Sequence, residues 1–238
     1  MPIERRPALL FDLDGTLVDS VYQHVLAWRS ALAEAGIELS VWRIHRRIGM
    51  SGGLFVSALV RETGHDLAPD DVIRLQQGHL RRYLEQQEQV RPLPGARELL
   101  RHLTDSSIPW AIATSGSQLS AGPAVAMLDI PRGTTVVTRD QVPFAKPDPH
   151  LFLAAAERLN VDVQNAIVVG DSVWDMLAAQ RARALGVGLL SGGYGREELE
   201  RAGACRVYED PADLKNHLDE LGIRVPKSDP QPGSPVVL

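Results

Sequence analysis

Lysine, cysteine and long apolar runs are all scarce in this sequence. Of its 25 basic residues only three are lysines, at positions 146, 215 and 227. Cys205 is the only cysteine, so the chain can form no internal disulfide, which suits a reducing cytoplasm. No stretch reaches the about 18 consecutive apolar residues of a transmembrane helix, and no apolar segment typical of a signal peptide precedes Asp12. We therefore expect a cytoplasmic protein that does not bind a membrane.

Charge of one sign is not concentrated anywhere either. The formal net charge is −5 and like charges form no block, so nucleic acid is not an expected partner. The 238 residues, 44% hydrophobic and 23% charged, are enough for one large domain or for one domain with a smaller insertion. A monomer is the default expectation. A dimer is the alternative, formed through a face of the helical part of the chain.

Short apolar runs alternate with helical patterns along most of the chain. The runs have the length of buried strands, and they occupy residues 7–11, 110–114, 135–138, 166–170 and 186–190. Strands that alternate with helices favour a parallel sheet covered on both faces. The predicted fold class is therefore α/β.

One long segment interrupts this alternation, because its apolar residues have only helical spacing. The first helix of the segment has one apolar face, formed by Val21, Val25, Trp28 and Leu32. Leu54 and Ala58 indicate a second helix with an apolar face of its own. A later helical face is formed by Val72, Leu75, His79 and Tyr83. The segment is therefore predicted to be a helical insertion.

These patterns divide the chain into three parts. The helical insertion takes residues 20–91, and residues 1–19 together with 92–224 form the core around the sheet. Residues 225–238 are rich in Pro, Ser and Gly, and we expect them to be a disordered tail.

Polar residues follow four of the predicted strands, at the carboxyl ends where open α/β sheets bind ligands. They are Asp12 and Asp14, Thr114 and Ser115, Lys146, and Asp171 and Asp175. Four carboxylates at one rim cannot all stay ionised without a cation, and the choice that prefers oxygen ligands is Mg²⁺. Lys146, in a chain that otherwise uses arginine, suits a phosphoryl group placed beside that metal. The expected partner is a small phosphorylated metabolite.

Four short segments carry a family resemblance. Residues 12–20 (DLDGTLVDS), 114–115 (TS), 146–147 (KP) and 170–175 (GDSVWD) resemble, in the same order, the four motifs of the haloacid dehalogenase-like hydrolase superfamily. The resemblance spans residues 7–220. The helical insertion resembles the α-helical cap of the phosphoglycolate phosphatase and β-phosphoglucomutase branch. The resemblance implies a Rossmann-like core beneath that cap.

The resemblance also implies a role for each motif residue. Asp12 would be the nucleophile that forms an aspartyl phosphate, and Asp14 would protonate the leaving oxygen and then activate water. Thr114 and Ser115 would bind the phosphoryl oxygens, and Lys146 would neutralise phosphate and nucleophile. The Mg²⁺ ligands that it implies are Asp12, the main-chain carbonyl of Asp14, Asp171 and, directly or as an outer carboxylate, Asp175.

Other activities of the superfamily fit these residues less well. Asp14 argues against a dehalogenase, which lacks this second aspartate, and the absence of lysine before position 146 argues against a phosphonoacetaldehyde hydrolase. A β-phosphoglucomutase-like sugar-phosphate mutase stays open, because His24 matches a histidine that helps to control proton transfer there. However, Ile48 and Gly52 stand where the mutase has cationic cap residues.

Some residues near the insertion have two interpretations each. Arg47, in a glycine-containing cap loop, is a substrate contact or a solvated arginine. His24 faces the substrate or packs on Trp28. Asp19 and Ser20 begin the hinge of the insertion, or either of them caps its first helix, which is the favoured role. Trp174 meets the insertion or packs on the sheet. The favoured function is Mg²⁺-dependent hydrolysis of a small phosphate monoester; the mutase is the alternative, and a non-catalytic binding protein on this fold is the third hypothesis.

Overall fold

The computed structural model of the chain describes residues 7–64 and 67–223. The strands are β1 (Ala8–Phe11), β2 (Val18–Asp19), β3 (Arg91–Pro92), β4 (Trp110–Ala113), β5 (Val136–Val137), β6 (Ala166–Gly170), β7 (Leu185–Leu189) and β8 (Ala204–Tyr208). The α-helices are α1 (Val21–Glu34), α2 (Val41–His45), α3 (Gly52–Thr63), α4 (Pro69–Glu85), α5 (Ala96–Asp105), α6 (Gln118–Ala126), α7 (His150–Arg158), α8 (Val173–Ala182), α9 (Arg196–Arg201) and α10 (Pro211–Asn216). The tail that the sequence predicts to be disordered lies outside the described residues.

Six of the strands form one parallel sheet, in the spatial order β5-β4-β1-β6-β7-β8. Every strand predicted from the sequence belongs to this sheet, and helices cover both of its faces. The predicted α/β class with a Rossmann-like parallel core is therefore confirmed.

Strand β1 lies inside the sheet because its side chains are apolar on both faces. Leu9 and Phe11 belong to one hydrophobic core together with residues of α5. Ala8 and Leu10 belong to a second core, on the opposite face, together with residues of α7. Burial of each large apolar side chain contributes about 1.5–3 kcal/mol, so the position of β1, and of the residue that follows it, is firmly held.

Helices α1 to α4 pack around a hydrophobic core of their own. The four α1 residues predicted to share a face are all buried in it: Val21, Val25, Trp28 and Leu32. The chain enters this helical segment through β2 and leaves it through β3, which pair in a two-stranded antiparallel ribbon. The two crossings between the sheet and the helical segment therefore lie side by side.

The predicted apolar face of the second helix is wrong. Leu54 is 40% exposed, whereas Phe55, Val56 and Leu59 of α3 are buried. The large Phe55 ring stacks on Trp28 with centroids 4.2 Å apart, and burying it removes more apolar surface from water than burying Leu54 would. No helix in the described part of the chain is long and apolar enough to span a membrane.

Candidate active site

The carboxyl ends of three neighbouring strands bring the predicted site residues to one rim of the sheet. Asp12 directly follows β1, Thr114 follows β4 and Asp171 follows β6. Lys146 reaches the same place from the segment between β5 and α7, and Asp175 reaches it from the first turn of α8. Residues far apart in the sequence therefore meet because parallel strands end at the same edge.

Lys146 is buried between two carboxylates. Its Nζ forms an ion pair with Asp12 and lies 2.8 Å from Oδ1 of Asp175, and its side chain is 0% exposed. Burial opposes the ammonium charge, but the attraction of Asp12 and Asp175 outweighs burial and raises the pKa of Lys146 above its usual value. Lys146 is therefore charged at neutral pH and holds the Asp12 side chain in place.

Asp12 has less positive charge around it than a buried carboxylate needs. Burial raises the pKa of Asp12 to about 7, against the charge of Lys146, and the nearby charges of Asp175 and Asp14 add to the increase. Additional positive charge at this point would favour the ionised form of Asp12.

Asp12, Asp171 and Asp175 form a compact group of carboxylates. One oxygen of each lies within 4.8 Å of the others, and all three residues are buried. Burial, followed by the charges of Asp175 and Asp12, raises the pKa of Asp171 well above its usual value. Three buried carboxylates beside one lysine leave an excess of negative charge, which a divalent cation with oxygen ligands would compensate. The donor set therefore fits a divalent metal ion.

Hydroxyl groups donate hydrogen bonds to two of these carboxylates, and a glycine leaves space for one of them. Thr16 Oγ1 donates to Oδ1 of Asp171 at 3.0 Å, and Ser172 Oγ donates to Oδ2 of Asp175 at 2.5 Å. Gly15 has a φ of +81°, and a Cβ at this position would lie 2.5 Å from Oδ2 of Asp171. The turn after Asp14 thus requires glycine both for its left-handed backbone and for the close approach of Asp171.

Asp14 has different partners from Asp12. Ser20 Oγ donates to Oδ1 of Asp14 at 2.6 Å, and His24 Nε2 lies 3.2 Å from the same oxygen. Burial alone would raise the pKa of Asp14, but the attraction of His24 and the hydrogen bonds from His24 and Ser20 outweigh burial and lower it below its usual value. The two aspartates are therefore held in two distinct environments.

The predicted capping role of Ser20 is wrong. Ser20 stands at the N-cap position of α1, but among the described residues its side chain makes no capping hydrogen bond. The hydroxyl donates to Asp14 instead, and the Ser20 backbone, with a φ of −139° and a ψ of −6°, lacks the extended conformation in which an N-cap oxygen accepts from the first turn.

His24 is nearly buried and lies among aromatic rings. It is 7% exposed, its ring stacks on Tyr83 with centroids 3.8 Å apart, and it lies beside His79. The ring that stacks on Trp28 is that of His79. His24 thus combines packing against the helical segment with a polar contact to Asp14.

A cavity of about 430 Å³ opens between the rim of the sheet and the helical segment. Predicted site residues from both parts of the chain line it: Asp12, Asp14, Thr114, Ser115, His24 and Arg47. The acidic pair, the hydroxyl pair and the two residues predicted for specificity therefore share one space.

Thr114 and Ser115 line this cavity, and their side chains form hydrogen bonds with different partners. Thr114 is buried, and its Oγ1 accepts a hydrogen bond from the Gly116 N–H at 2.9 Å. Ser115 Oγ donates to the main-chain carbonyl of Gly49 at 2.9 Å. Ser115 therefore connects the rim of the sheet to the loop between α2 and α3.

Arg47 lines the cavity, but other residues of the helical segment hold its guanidinium. It forms an ion pair with Glu62, and its Nη1 donates to the main-chain carbonyl of Arg43 at 2.7 Å. Its charge is therefore already partly balanced within the helical segment.

The loop between α2 and α3 is docked on the core by main-chain hydrogen bonds. The carbonyl of Arg46 accepts from Trp174 Nε1 at 3.2 Å and from the hydroxyl of Tyr194 at 2.8 Å. The N–H of Ser51 donates to the carbonyl of Lys146 at 3.1 Å. Trp174 thus meets the helical segment, which was one of the two interpretations of its position.

Sequence reasoning missed several residues that hold the site together: Thr16, Ser172, Tyr83 and His79. Thr16 and Ser172 lie inside the motifs at residues 12–20 and 170–175, so their proximity to the motif aspartates was the signal that could have identified them. His79 and Tyr83 carried only the signal of helical spacing, because their contacts with His24 cross from α4 to α1.

Comparisons with known proteins agree with this geometry. The family model described as haloacid dehalogenase-like hydrolase matches residues 7–183. A phosphoglycolate phosphatase of Rhodospirillum rubrum is 33% identical over 243 residues, covering 95% of this chain and 92% of that protein. Hexitol phosphatase A of Escherichia coli is 33% identical over 180 residues, covering 75% of this chain and 80% of that protein.

A solved structure is similar over nearly the whole chain. It is a hydrolase from Pseudomonas syringae, with a TM-score of 0.89 and 52% sequence identity, covering 91% of this chain and 99% of that one. The family match includes strands β1 to β6, the helical segment and all the carboxylates of the site. The chain therefore belongs to the haloacid dehalogenase-like hydrolase family and is a phosphohydrolase of that family.

Proposed function

We propose that the protein is a Mg²⁺-dependent phosphatase that hydrolyses a small phosphate monoester through an aspartyl phosphate on Asp12. The observation that carries this proposal is the position of Asp12 at the cavity, paired with buried Lys146 and grouped with Asp171 and Asp175. Relatives named as phosphatases support the same reaction class.

Asp12 is the nucleophile in this proposal. A carboxylate oxygen of Asp12 attacks phosphorus in line, and the bond from phosphorus to the leaving oxygen breaks as the new bond forms. Lys146 neutralises the charge that accumulates between Asp12 and the phosphoryl group. The Thr114 hydroxyl and the main-chain N–H of Ser115 bind the phosphoryl oxygens. Mg²⁺, held by Asp12, Asp171 and Asp175, would supply further positive charge to the carboxylates and the phosphoryl oxygens.

Asp14 moves the protons in both halves of the reaction. In the first half its carboxyl group gives a proton to the leaving oxygen, and in the second it takes a proton from the water that attacks the aspartyl phosphate. The second half releases phosphate and restores the Asp12 carboxylate. The low pKa of Asp14 favours the carboxylate that accepts the proton from water, and a bound phosphate dianion would raise the pKa of this carboxyl and favour the acid.

We further propose that residues 20–91 are a cap over a core of residues 1–19 and 92–224. The separate hydrophobic core of α1 to α4 and the paired crossings β2 and β3 support this division. Closure of such a cap excludes bulk water from the aspartyl phosphate until the leaving group has departed. The single cysteine fits a cytoplasmic location. A monomer is the default expectation for the oligomeric state.

A sugar-phosphate mutase is the second candidate, because His24 lies 3.2 Å from Asp14. A mutase must also hold a second phosphate in the cap, and Arg47 is already paired with Glu62, so hydrolysis is favoured. A mutase would isomerise a hexose 1-phosphate in the presence of a bisphosphate activator and release little phosphate. The third hypothesis is a non-catalytic binding protein. It predicts that Asp12→Asn still binds the metal and that its other properties do not differ from those of the wild type.

The test is phosphate release from a panel of phosphorylated metabolites, with Mg²⁺ and with chelator, for the wild type and for Asp12→Asn. We expect turnover by the wild type with Mg²⁺ only, and a loss of at least about 10³-fold in Asp12→Asn, because no other group can form the aspartyl phosphate. The unchanged melting temperature of Asp12→Asn would serve as the folding control. Turnover that survives this substitution would contradict the proposal.

A further inference from the structure

Three side chains form a continuous polar chain from the cap to the catalytic aspartate. His79 Nε2 on α4 lies 3.0 Å from His24 Nδ1 on α1, and His24 Nε2 lies 3.2 Å from Oδ1 of Asp14. Both ring nitrogens of His24 are therefore engaged, one toward each neighbour.

Stacking fixes the planes of the two imidazoles. The His24 ring is within 7° of parallel to Tyr83, and the His79 ring is within 12° of parallel to Trp28. Each histidine stands four positions from the aromatic residue on its own helix, so His24 with Trp28 and His79 with Tyr83 form two helical pairs that interleave. The stacks restrain tilting of the rings, but they would survive a 180° flip of the His24 ring, which would turn Cε1 instead of Nε2 toward Asp14.

We propose that His79 is a positioning residue for the acid–base Asp14, because it holds His24 with Nε2 directed at the carboxylate. An imidazole bonded at only one nitrogen can turn over in its plane or exchange its proton between nitrogens. The contact with His79 restrains the orientation of the His24 ring, and when His24 is neutral a His79 N–H that donates to Nδ1 keeps the His24 proton on Nε2. This inference rests on the proposed function, since it concerns the proton transfers assigned to Asp14.

The arrangement is consistent in either protonation state of His24. A neutral His24 that donates from Nε2 to Asp14 accepts at Nδ1 from the N–H of His79. A His24 with both protons donates from Nδ1 to the free nitrogen of a neutral His79. Burial and the neighbouring His24 lower the pKa of His79 well below its usual value, which keeps His79 neutral and able to play either part.

Two substitutions separate this role from packing. His79→Phe keeps an aromatic ring over Trp28 but can form no hydrogen bond with His24. His79→Gln loses the ring but keeps an amide that can donate or accept. A positioning role predicts that the phenylalanine variant is the impaired one, whereas a packing role predicts the reverse.

The kinetic test uses phenyl phosphate and 4-nitrophenyl phosphate, which share a ring but differ in the acidity of the phenol released. The measured quantity is kcat/KM, which includes proton donation to the leaving oxygen. We expect His79→Phe to lose about tenfold to hundredfold on phenyl phosphate and less than about threefold on 4-nitrophenyl phosphate, whose phenolate leaves with little protonation. His79→Gln should stay within about threefold of the wild type on both esters.

A second readout does not depend on activity. The ring nitrogens of His24 can be followed by two-bond proton–nitrogen NMR spectra of the protein without substrate. We expect His79→Phe to shift these signals toward a mixture of tautomers and His79→Gln to leave them near the wild-type positions.

The inference would be overturned if His79→Phe showed no loss selective for phenyl phosphate, or if it left the His24 signals unchanged. The same selective loss in His79→Gln would also overturn it. Failure of the proposed function is a different result, namely a wild type without turnover that depends on Mg²⁺ and Asp12.

Discussion

At the scale of single residues, two aspartates that stand two positions apart have acquired opposite electrostatic settings. Asp12 is surrounded by other carboxylates and one lysine, so that its pKa is raised to about 7, chiefly by burial. Asp14 accepts from Ser20 and contacts His24, so that its pKa is lowered. The two settings differ because Asp12 contacts Lys146, whereas Asp14 contacts Ser20 and His24. In the proposed reaction, a divalent cation beside Asp12 would favour the ionised nucleophile, and a bound phosphate dianion near Asp14 would favour its acid form.

Asp14→Asn is expected to remove turnover but keep metal binding. The side chain of Asp14 is not one of the three grouped carboxylates, whereas general acid–base catalysis is worth about 10²–10⁴-fold in rate. We therefore expect kcat/KM to fall by about that factor, while titration calorimetry shows Mg²⁺ binding close to that of the wild type. Asp171→Asn is the matched control and should weaken Mg²⁺ binding. Equal loss of Mg²⁺ binding in both variants would contradict this assignment.

At the scale of elements, α3 shows how a tertiary contact chooses the buried face of a helix. Its predicted face placed Leu54 inside, but the stack of Phe55 on Trp28 turns the helix so that Leu54 faces outward. The helical period alone could not decide this, because apolar residues at 54, 55 and 56 offer more than one face.

Phe55→Ala and Leu54→Ala form a matched test of this face. Phe55 is 1% exposed, so its truncation leaves a cavity and should lower the free energy of unfolding by about 3–5 kcal/mol. Leu54→Ala should change it by no more than about 0.5 kcal/mol, as for a surface substitution. Urea unfolding followed by circular dichroism measures both. Similar costs for the two variants would mean that the buried face is assigned wrongly.

At the scale of the whole molecule, hydrogen bonds to main-chain groups connect the loop between α2 and α3 to residues around the sheet. Trp174 and Tyr194 both donate to the carbonyl of Arg46, and Ser115 donates to that of Gly49. The ion pair of Arg46 with Glu198 adds to these hydrogen bonds. In the proposed function, part of these contacts must break when the cap opens to admit substrate.

Tyr194→Phe is expected to loosen this docking without removing any catalytic group. Loss of one hydrogen bond worth about 1 kcal/mol should speed exchange of the Ser51 amide hydrogen by about fivefold. Hydrogen exchange followed by NMR measures this rate. Tyr208→Phe loses a comparable hydroxyl, bonded to Glu220 in the core, and should leave the Ser51 amide unchanged. Equal effects of the two substitutions would rule out a specific role for Tyr194.

Much of the fold and most of the site were predictable because they depend on local patterns. Buried strands are continuous apolar runs, and residues at the carboxyl ends of parallel strands must meet at one rim. These two rules are enough to bring Asp12, Thr114, Lys146 and Asp171 together. The α/β class and the meeting of these residues at one rim could therefore be predicted from the sequence, whereas the complete burial of Lys146 was not predicted.

Only the tertiary structure decided the surroundings of Asp14 and the state of the cap residues. Ser20 stands at the N-cap of α1 but makes no capping hydrogen bond, and its hydroxyl donates to Asp14. Arg47 is held by Glu62, and His79 reaches His24 from another helix. Each of these contacts joins elements whose relative placement comes from packing of large apolar surfaces, and that placement cannot be obtained from spacing along the chain.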